Sequence, residues 1–207
     1  MLTGKFSYIQ QNEVSEFSIS LSKSELDISS EVKPRKIIAL AISHKEDFIK
    51  KYFEIKKEGH IPLILNPEIP QKKLIELAKE KDSHVLKLDD NKVIAFESPI
   101  VDSPAGHILC SSGTTSKSGT QKSFFFSFPK PLKNANAHCE SLNIKANKKV
   151  LFPLPITHSF GVVVDEESCQ SWRVVCVFGV CVHVCVCVCV CVCSSEFWFL
   201  FAIMSQL

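Results

Sequence analysis

The chain has 207 residues, enough for one large domain or two small ones around a sizeable core. Its 24 lysines and arginines nearly balance 22 aspartates and glutamates, so the net charge of +2 gives no broad electrostatic reason to expect a nucleic-acid partner. The charges are unevenly spread: beyond Ser168 the single acid is Glu196 and the single base is Arg173. Ten cysteines are present, but only Cys110 and Cys139 precede position 169, in no CxxC or Cys/His cluster, which is a reduced, cytosolic pattern. The opening stretch MLTGKFSYIQQNEVSEFS has no basic start with an apolar core behind it, so no secretory signal or transit peptide is expected and a cytoplasmic location is.

In chain order, residues 1–35 are mixed and polar and read as an irregular N-terminal segment. KIIALAI (36–42) is a short β-branched run suited to a buried strand. Ser43 with Glu46 three residues on has capping-box spacing, and Phe48, Tyr52, Phe53 and Ile55 recur at helical intervals up to Gly59, a natural stop. IPLIL (61–65) then completes a βαβ unit. After Pro70, Leu74, Leu77 and Ala78 form an apolar helical stripe, with Ile75 beside it. HVLKL (84–88), VIAFE (93–97) and HILCS (107–111) read as further strands, and SFFFSF (123–128) as a buried one. A helical pattern returns over 132–142, and KVLFPLPITHSFGVVV (149–164) reads as a strand running into a proline-braced turn. The alternation predicts an α/β fold with a mostly parallel sheet flanked by helices.

HILCSSGTTSKSGTQKS (107–123) delivers a strand into a loop of hydroxyls, glycines and lysines. Inward-pointing amides in such a turn form a nest for anionic oxygens, to which Ser and Thr hydroxyls and a lysine add donors and charge. GxxxxGK[ST] does not fit, because five residues separate Gly113 from Gly119 and Thr120 follows the second glycine. His44, His60, His84, His107 and His138 share no spacing and read as surface or capping residues; no metal site is expected. Cys110 has no identifiable partner base and reads as a small buried side chain.

SSGTTSKSGTQK (111–122) resembles the Ser/Thr/Gly-rich signature [ST]SG[ST]TGxPKG of the adenylate-forming superfamily, which includes acyl-CoA synthetases, luciferases and the adenylation domains of peptide synthetases. LFPLPITHSFG (151–161) is similar to its second landmark, and FIKKYFEIKKEGHIPLILNP (48–67) to an upstream helix–strand–turn segment. The resemblance covers residues 36–165 and implies a partial N-terminal AMP-binding subdomain of a longer enzyme. It implies that Ser111, Ser112, Gly113, Thr114, Thr115 and Ser116 wrap the β- and γ-phosphates of ATP, with Lys122 as the loop lysine and His158 beside the acyl or acceptor channel. Ser116 stands where glycine is usual, and SGTQ replaces the single proline before the lysine. The implied chemistry is carboxylate attack on Mg2+-ATP, giving acyl-AMP and pyrophosphate, then transfer to a thiol of coenzyme A or a carrier protein. The family's adenine segment with its glutamate and its ribose-binding aspartate are not recognisable, and no lysine follows Lys149 to supply the late catalytic one, so no catalytic residue is assigned and little activity of this chain alone is expected.

Residues 166–207 form an apolar tail in which VVCVFGVCVHVCVCVCVCVC is the translation of a TG dinucleotide repeat, TGT giving Cys and GTG giving Val. A translated non-coding repeat is the reading adopted. The uncharged run from Val174 through Cys193 is also long enough, as a helix of ~30 Å, to cross a bilayer, so the alternative is a non-catalytic tail-anchored or interaction protein built on the fragment.

Overall fold

A computed structural model describes the backbone of residues 2–10, 13–21, 30–110, 121–128, 130, 149–151, 173–177 and 197–199, and the side chains of 30–110, 121–128 and 130. Strands β1 (Leu2–Gln10) and β2 (Glu13–Leu21) form an antiparallel hairpin, with Gln10 opposite Glu13. The irregular reading of this region is corrected: Phe6, Tyr8 and Phe17, Ile19 alternate with polar residues at the period of a strand. β3 (Lys33–Arg35) is followed by β4 (Ile37–Ala41), α1 (Lys45–Lys57), β5 (Ile61–Ile64), α2 (Gln71–Glu80), β6 (Ser83–Leu88), β7 (Val93–Ala95), β8 (Val101–Ser103), β9 (Gly106–Cys110) and β10 (Ser123–Ser127). β11 (Lys149–Leu151), β12 (Arg173–Val177) and β13 (Phe197–Phe199) complete the order.

The sheet that organises the molecule has six strands in the order β10-β9-β5-β4-β6-β7. β4, β5, β6 and β9 are parallel, and β7 and β10 run antiparallel at the two edges. All five residues of β4 are buried because the strand has neighbours on both sides and a helix on each face. Ile37, Ala39 and Ala41 share one face with Leu63, Leu86 and the α2 residues Leu74 and Ala78. Strand alternation turns Ile38, Leu40 and Ile42 to the opposite face, where α1 buries Phe48, Ile49, Tyr52, Phe53 and Ile55. The expected strand, helix and strand at 36–65 and the helical stripe at 74–78 are therefore found.

Local details differ from the sequence pattern. Ser43 does not cap α1: its hydroxyl donates to Asp89 Oδ2 at 2.8 Å and its amide to Asp89 Oδ1 at 2.9 Å, while Glu46 pairs with Lys50 one turn on. Gly59 ends α1 with φ of 77°, as expected of a helix stop. β6 and β7 are joined by a tight turn in which Asp90 and Asn91 both have positive φ, 57° and 55°, and the Lys92 amide donates to the Asp89 carbonyl. Arg35, 1% exposed, donates to the carbonyls of Ser103 and Gly59 at 2.8 and 2.7 Å, pinning the β3–β8 ribbon to the α1–β5 turn.

A second sheet, in the order β13-β11-β12-β1-β2, joins the N-terminal hairpin to strands from the last third of the chain. Val174 to Val177, the start of the run with a membrane-spanning length, belongs to β12, parallel to β1 and β11. No helix among the described residues is long and apolar enough to cross a membrane. The helix expected over 132–142 lies outside the described residues.

Candidate functional site

Four parallel strands end together: Leu40 of β4 lies beside Ile64 of β5, Ala41 beside Leu88 of β6, and Ile64 beside Leu109 of β9. In an open α/β sheet this carboxyl edge is where ligands gather. β9 ends at Cys110 on that edge, and β10 runs antiparallel to it with Ser123 opposite Cys110. The sequence between Cys110 and Ser123 therefore connects two paired strands of the sheet. The proline-poor apolar runs on either side dictate this: HILC has a strand on each side, and SFFFS needs only one neighbour to complete a two-stranded ladder.

Of the residues singled out by sequence, Lys122 is exposed and sits one position before β10. Gln121, next to it, has a buried Oε1 with no hydrogen-bond partner. Ser111, Ser112, Gly113, Thr114, Thr115, Ser116 and His158 lie outside the described residues. A cation at the mouth of the loop suits an anionic guest. Among the described residues no three His, Cys, Asp or Glu side chains come together as ligands for a divalent ion. Cys110, at the root of the loop, is half-buried, and that burial pushes its thiol pKa up, opposed by Lys81 and reinforced by Glu80. A thiol held protonated is a poor nucleophile, in keeping with a packing role.

A cleft of about 160 Å³ opens at the ends of β4 and β6, lined by Ile42, Asp47, Lys51, Asp89, Asp90 and Lys92. It is well short of the ~300 Å³ at which small-molecule pockets begin, and it lies roughly 10–14 Å along the sheet edge from β9. The loop, not this cleft, is the better candidate site.

Behind the loop strand is a polar group that the sequence pattern did not mark. His107, expected to be a surface or capping residue, is 2% exposed: its Nδ1 lies 3.0 Å from the Tyr52 hydroxyl, and Lys56 Nζ donates to the same oxygen at 3.2 Å. The tyrosine oxygen thus sits between the Lys56 ammonium, which donates to it, and the His107 ring. Lys56 is only 3% exposed and is held 3.5 Å above the Phe128 ring, so the ring quadrupole replaces part of its lost hydration. Tyr52 and Lys56 are one turn apart on α1, which was the available signal. The group ties α1 to the hairpin and thereby fixes where β9 delivers the loop.

No family model matches the chain, and no curated protein matches it. Solved structures do. The chain is similar to o-succinylbenzoate CoA synthetase (MenE) from Bacillus subtilis in complex with the acyl-adenylate intermediate OSB-AMP, at 18% identity and a TM-score of 0.57, over 70% of this chain and 45% of that one. The AMP complex of the same enzyme aligns over 84% of this chain and 52% of its own, at 14% identity and a TM-score of 0.59. The inhibitor-bound N-terminal domain of FACL13 from Mycobacterium tuberculosis aligns at 13% identity with a TM-score of 0.56, over 70% and 44%. The fold is thus that of the N-terminal part of the AMP-binding acyl-CoA synthetases. The chain spans about half the length of these proteins.

Proposed function

We propose that this chain is an N-terminal piece of an adenylate-forming ligase whose 111–122 loop grips the polyphosphate of Mg2+-ATP. The observation that carries the reading is the β9–β10 hairpin, which tethers that loop to the carboxyl edge of a parallel sheet in a fold shared with acyl-CoA synthetases. One of those structures, the MenE enzyme, was solved in complex with ATP and magnesium ion. In this reading Ser111, Ser112, Gly113, Thr114, Thr115 and Ser116 offer amides and hydroxyls to the β- and γ-phosphates. Lys122 neutralises charge there, and His158 borders the acyl or acceptor channel.

Adenylation is dominated by holding a carboxylate in line with the α-phosphorus and by stabilising charge on departing pyrophosphate. A hydroxyl-rich loop serves the second task alone. Without a late lysine, an adenine segment or a ribose-binding aspartate, the chain by itself binds nucleotide weakly and does not complete acyl-AMP formation. Its acid substrate and its thiol acceptor, coenzyme A or a carrier protein, belong to the whole enzyme. The division into 1–35, 36–165 and a 166–207 tail arising from a translated repeat, and a cytoplasmic location, are parts of the same proposal.

Calorimetric titration of the full chain with Mg2+-ATP, beside a carboxylate-dependent pyrophosphate-exchange assay, tests it. Weak binding without exchange is expected. Lys122→Ala should weaken binding by about ten-fold, the loss of one charge-assisted contact. Undetectable binding, or binding indifferent to Lys122, sinks the phosphate-loop reading. Transcript sequence past Val164 tests the tail separately: splicing that restores a late lysine supports it, and a transcript that reads through the repeat overturns it.

A further inference from the structure

β10 is the outer strand of the six-stranded sheet, and among the described residues β9 is its one ladder partner. Such an edge is usually blunted by charge, proline or a bulge, yet Ser123–Ser127 reads SFFFS and has none of these. Phe124, Phe125 and Phe126 are 51%, 42% and 38% exposed.

The ladder fixes which backbone groups face outward. The Phe128 amide donates to the Ala105 carbonyl, so in an antiparallel pair the residues bonded to β9 are Phe128, Phe126 and Phe124. Ser123, Phe125 and Ser127 therefore turn their N–H and C=O groups away from the sheet. That set is symmetric about Phe125, and so is the sequence: SFFFS reads the same in both directions.

We propose that β10 pairs with β10 of a second copy of this chain, antiparallel, about a two-fold axis through Phe125. In that register the outward groups of Ser123, Phe125 and Ser127 meet those of Ser127, Phe125 and Ser123. Phenylalanine then faces phenylalanine and serine faces serine, an isologous contact. Lys122 lies opposite Phe128 of the second copy and never opposite another lysine, so the register carries no like-charge pair. The six exposed rings contribute at most roughly 500 Å² to the contact, below the ~1,200 Å² of stable complexes, so the association is weak and reversible. The inference stands independently of the nucleotide reading.

Sedimentation velocity of the full chain in reducing buffer, across a wide concentration range, tests it with two double variants at the strand ends. These exchange edge serines and leave the core untouched. In the S123K/S127K double variant each cross-pair becomes Lys against Lys, whereas in S123E/S127K each becomes Glu against Lys. A concentration-dependent dimer is expected for the parent chain. S123K/S127K should weaken it by about ten-fold or more through two like-charge pairs, and S123E/S127K should retain it. A parent chain that stays monomeric overturns the proposal, as does association that both variants share unchanged or that both abolish.

Discussion

β4 and β10 are both five-residue, uncharged strands of the same sheet, and they have opposite fates. Every residue of Ile37–Ala41 is buried, whereas four of the five in Ser123–Ser127 are exposed and the fifth is half-buried. Apolar bulk does not separate them, since three of the five residues of SFFFS are phenylalanines. Place in the sheet does: β4 has a strand on either side and a helix on either face, whereas among the described residues β10 has β9 as its one neighbour. A short apolar run thus announces a strand but not its depth, and the loop that matters here is hung between one strand of each kind.

The largest effect that could break this contrast is a cavity. Leu40 is fully buried on β4, and Leu40→Ala should lower unfolding free energy by about 2–5 kcal/mol in a denaturant titration. Phe124→Ser on the edge should change it by less than about 1 kcal/mol, because half of the ring is already in water. Equal losses would mean that the edge is a core in disguise. Next is the root of the hairpin. A methyl group at Gly106 would stand 2.4 Å from the Phe126 carbonyl oxygen and 2.6 Å from the Phe125 ring. The ring could swing aside, but the carbonyl is backbone, so Gly106→Ala should cost about 1–3 kcal/mol. It should also speed hydrogen exchange at the Phe128 amide, which donates to Ala105 across the same ladder. Unchanged exchange would show that β10 is not held through this close approach.

Much of the central sheet was legible because its signals are local. The β-branched run at 37–42, the apolar stripe of α1 and its glycine stop each occupy one element, and their order dictates βαβ. What was missed depends on partners distant in sequence. β3 and β8 are three residues each and exist because Arg35 reaches the Ser103 and Gly59 carbonyls. His107 looked like a surface histidine because nothing nearby in sequence reveals that Tyr52, on α1, supplies its bond. The N-terminal hairpin read as irregular because its apolar residues are diluted by serine and glutamate. At the site, the loop's chemistry was legible in its hydroxyls and glycines and its tethering was implied by the flanking strands. The exposure of the phenylalanines was not, because edge position is a property of the whole sheet.

The smallest effect concerns the opposite, amino edge of the sheet, and it sharpens the contrast between buried and open positions. His60 precedes β5 and has its Nδ1 buried without a hydrogen-bond partner. Burial lowers its pKa from the usual 6.5, Glu58 opposes the shift, and the neighbouring charges of Lys36, His84 and Arg35 add to it. Unfolding returns the imidazole to its ordinary affinity for protons, so below pH 6.5 the unfolded chain binds more protons than the folded one. The contribution is complete above that pH and is lost as pH falls toward the lowered folded value. The side chain keeps substantial contact with water, so the loss is small. His60→Gln removes the titration and keeps a polar side chain of similar reach. Thermal unfolding midpoints compared at neutral and mildly acidic pH should fall less in this variant than in the parent chain. A parent chain with the same pH slope as the variant would mean that His60 takes its proton as readily in the fold as out of it.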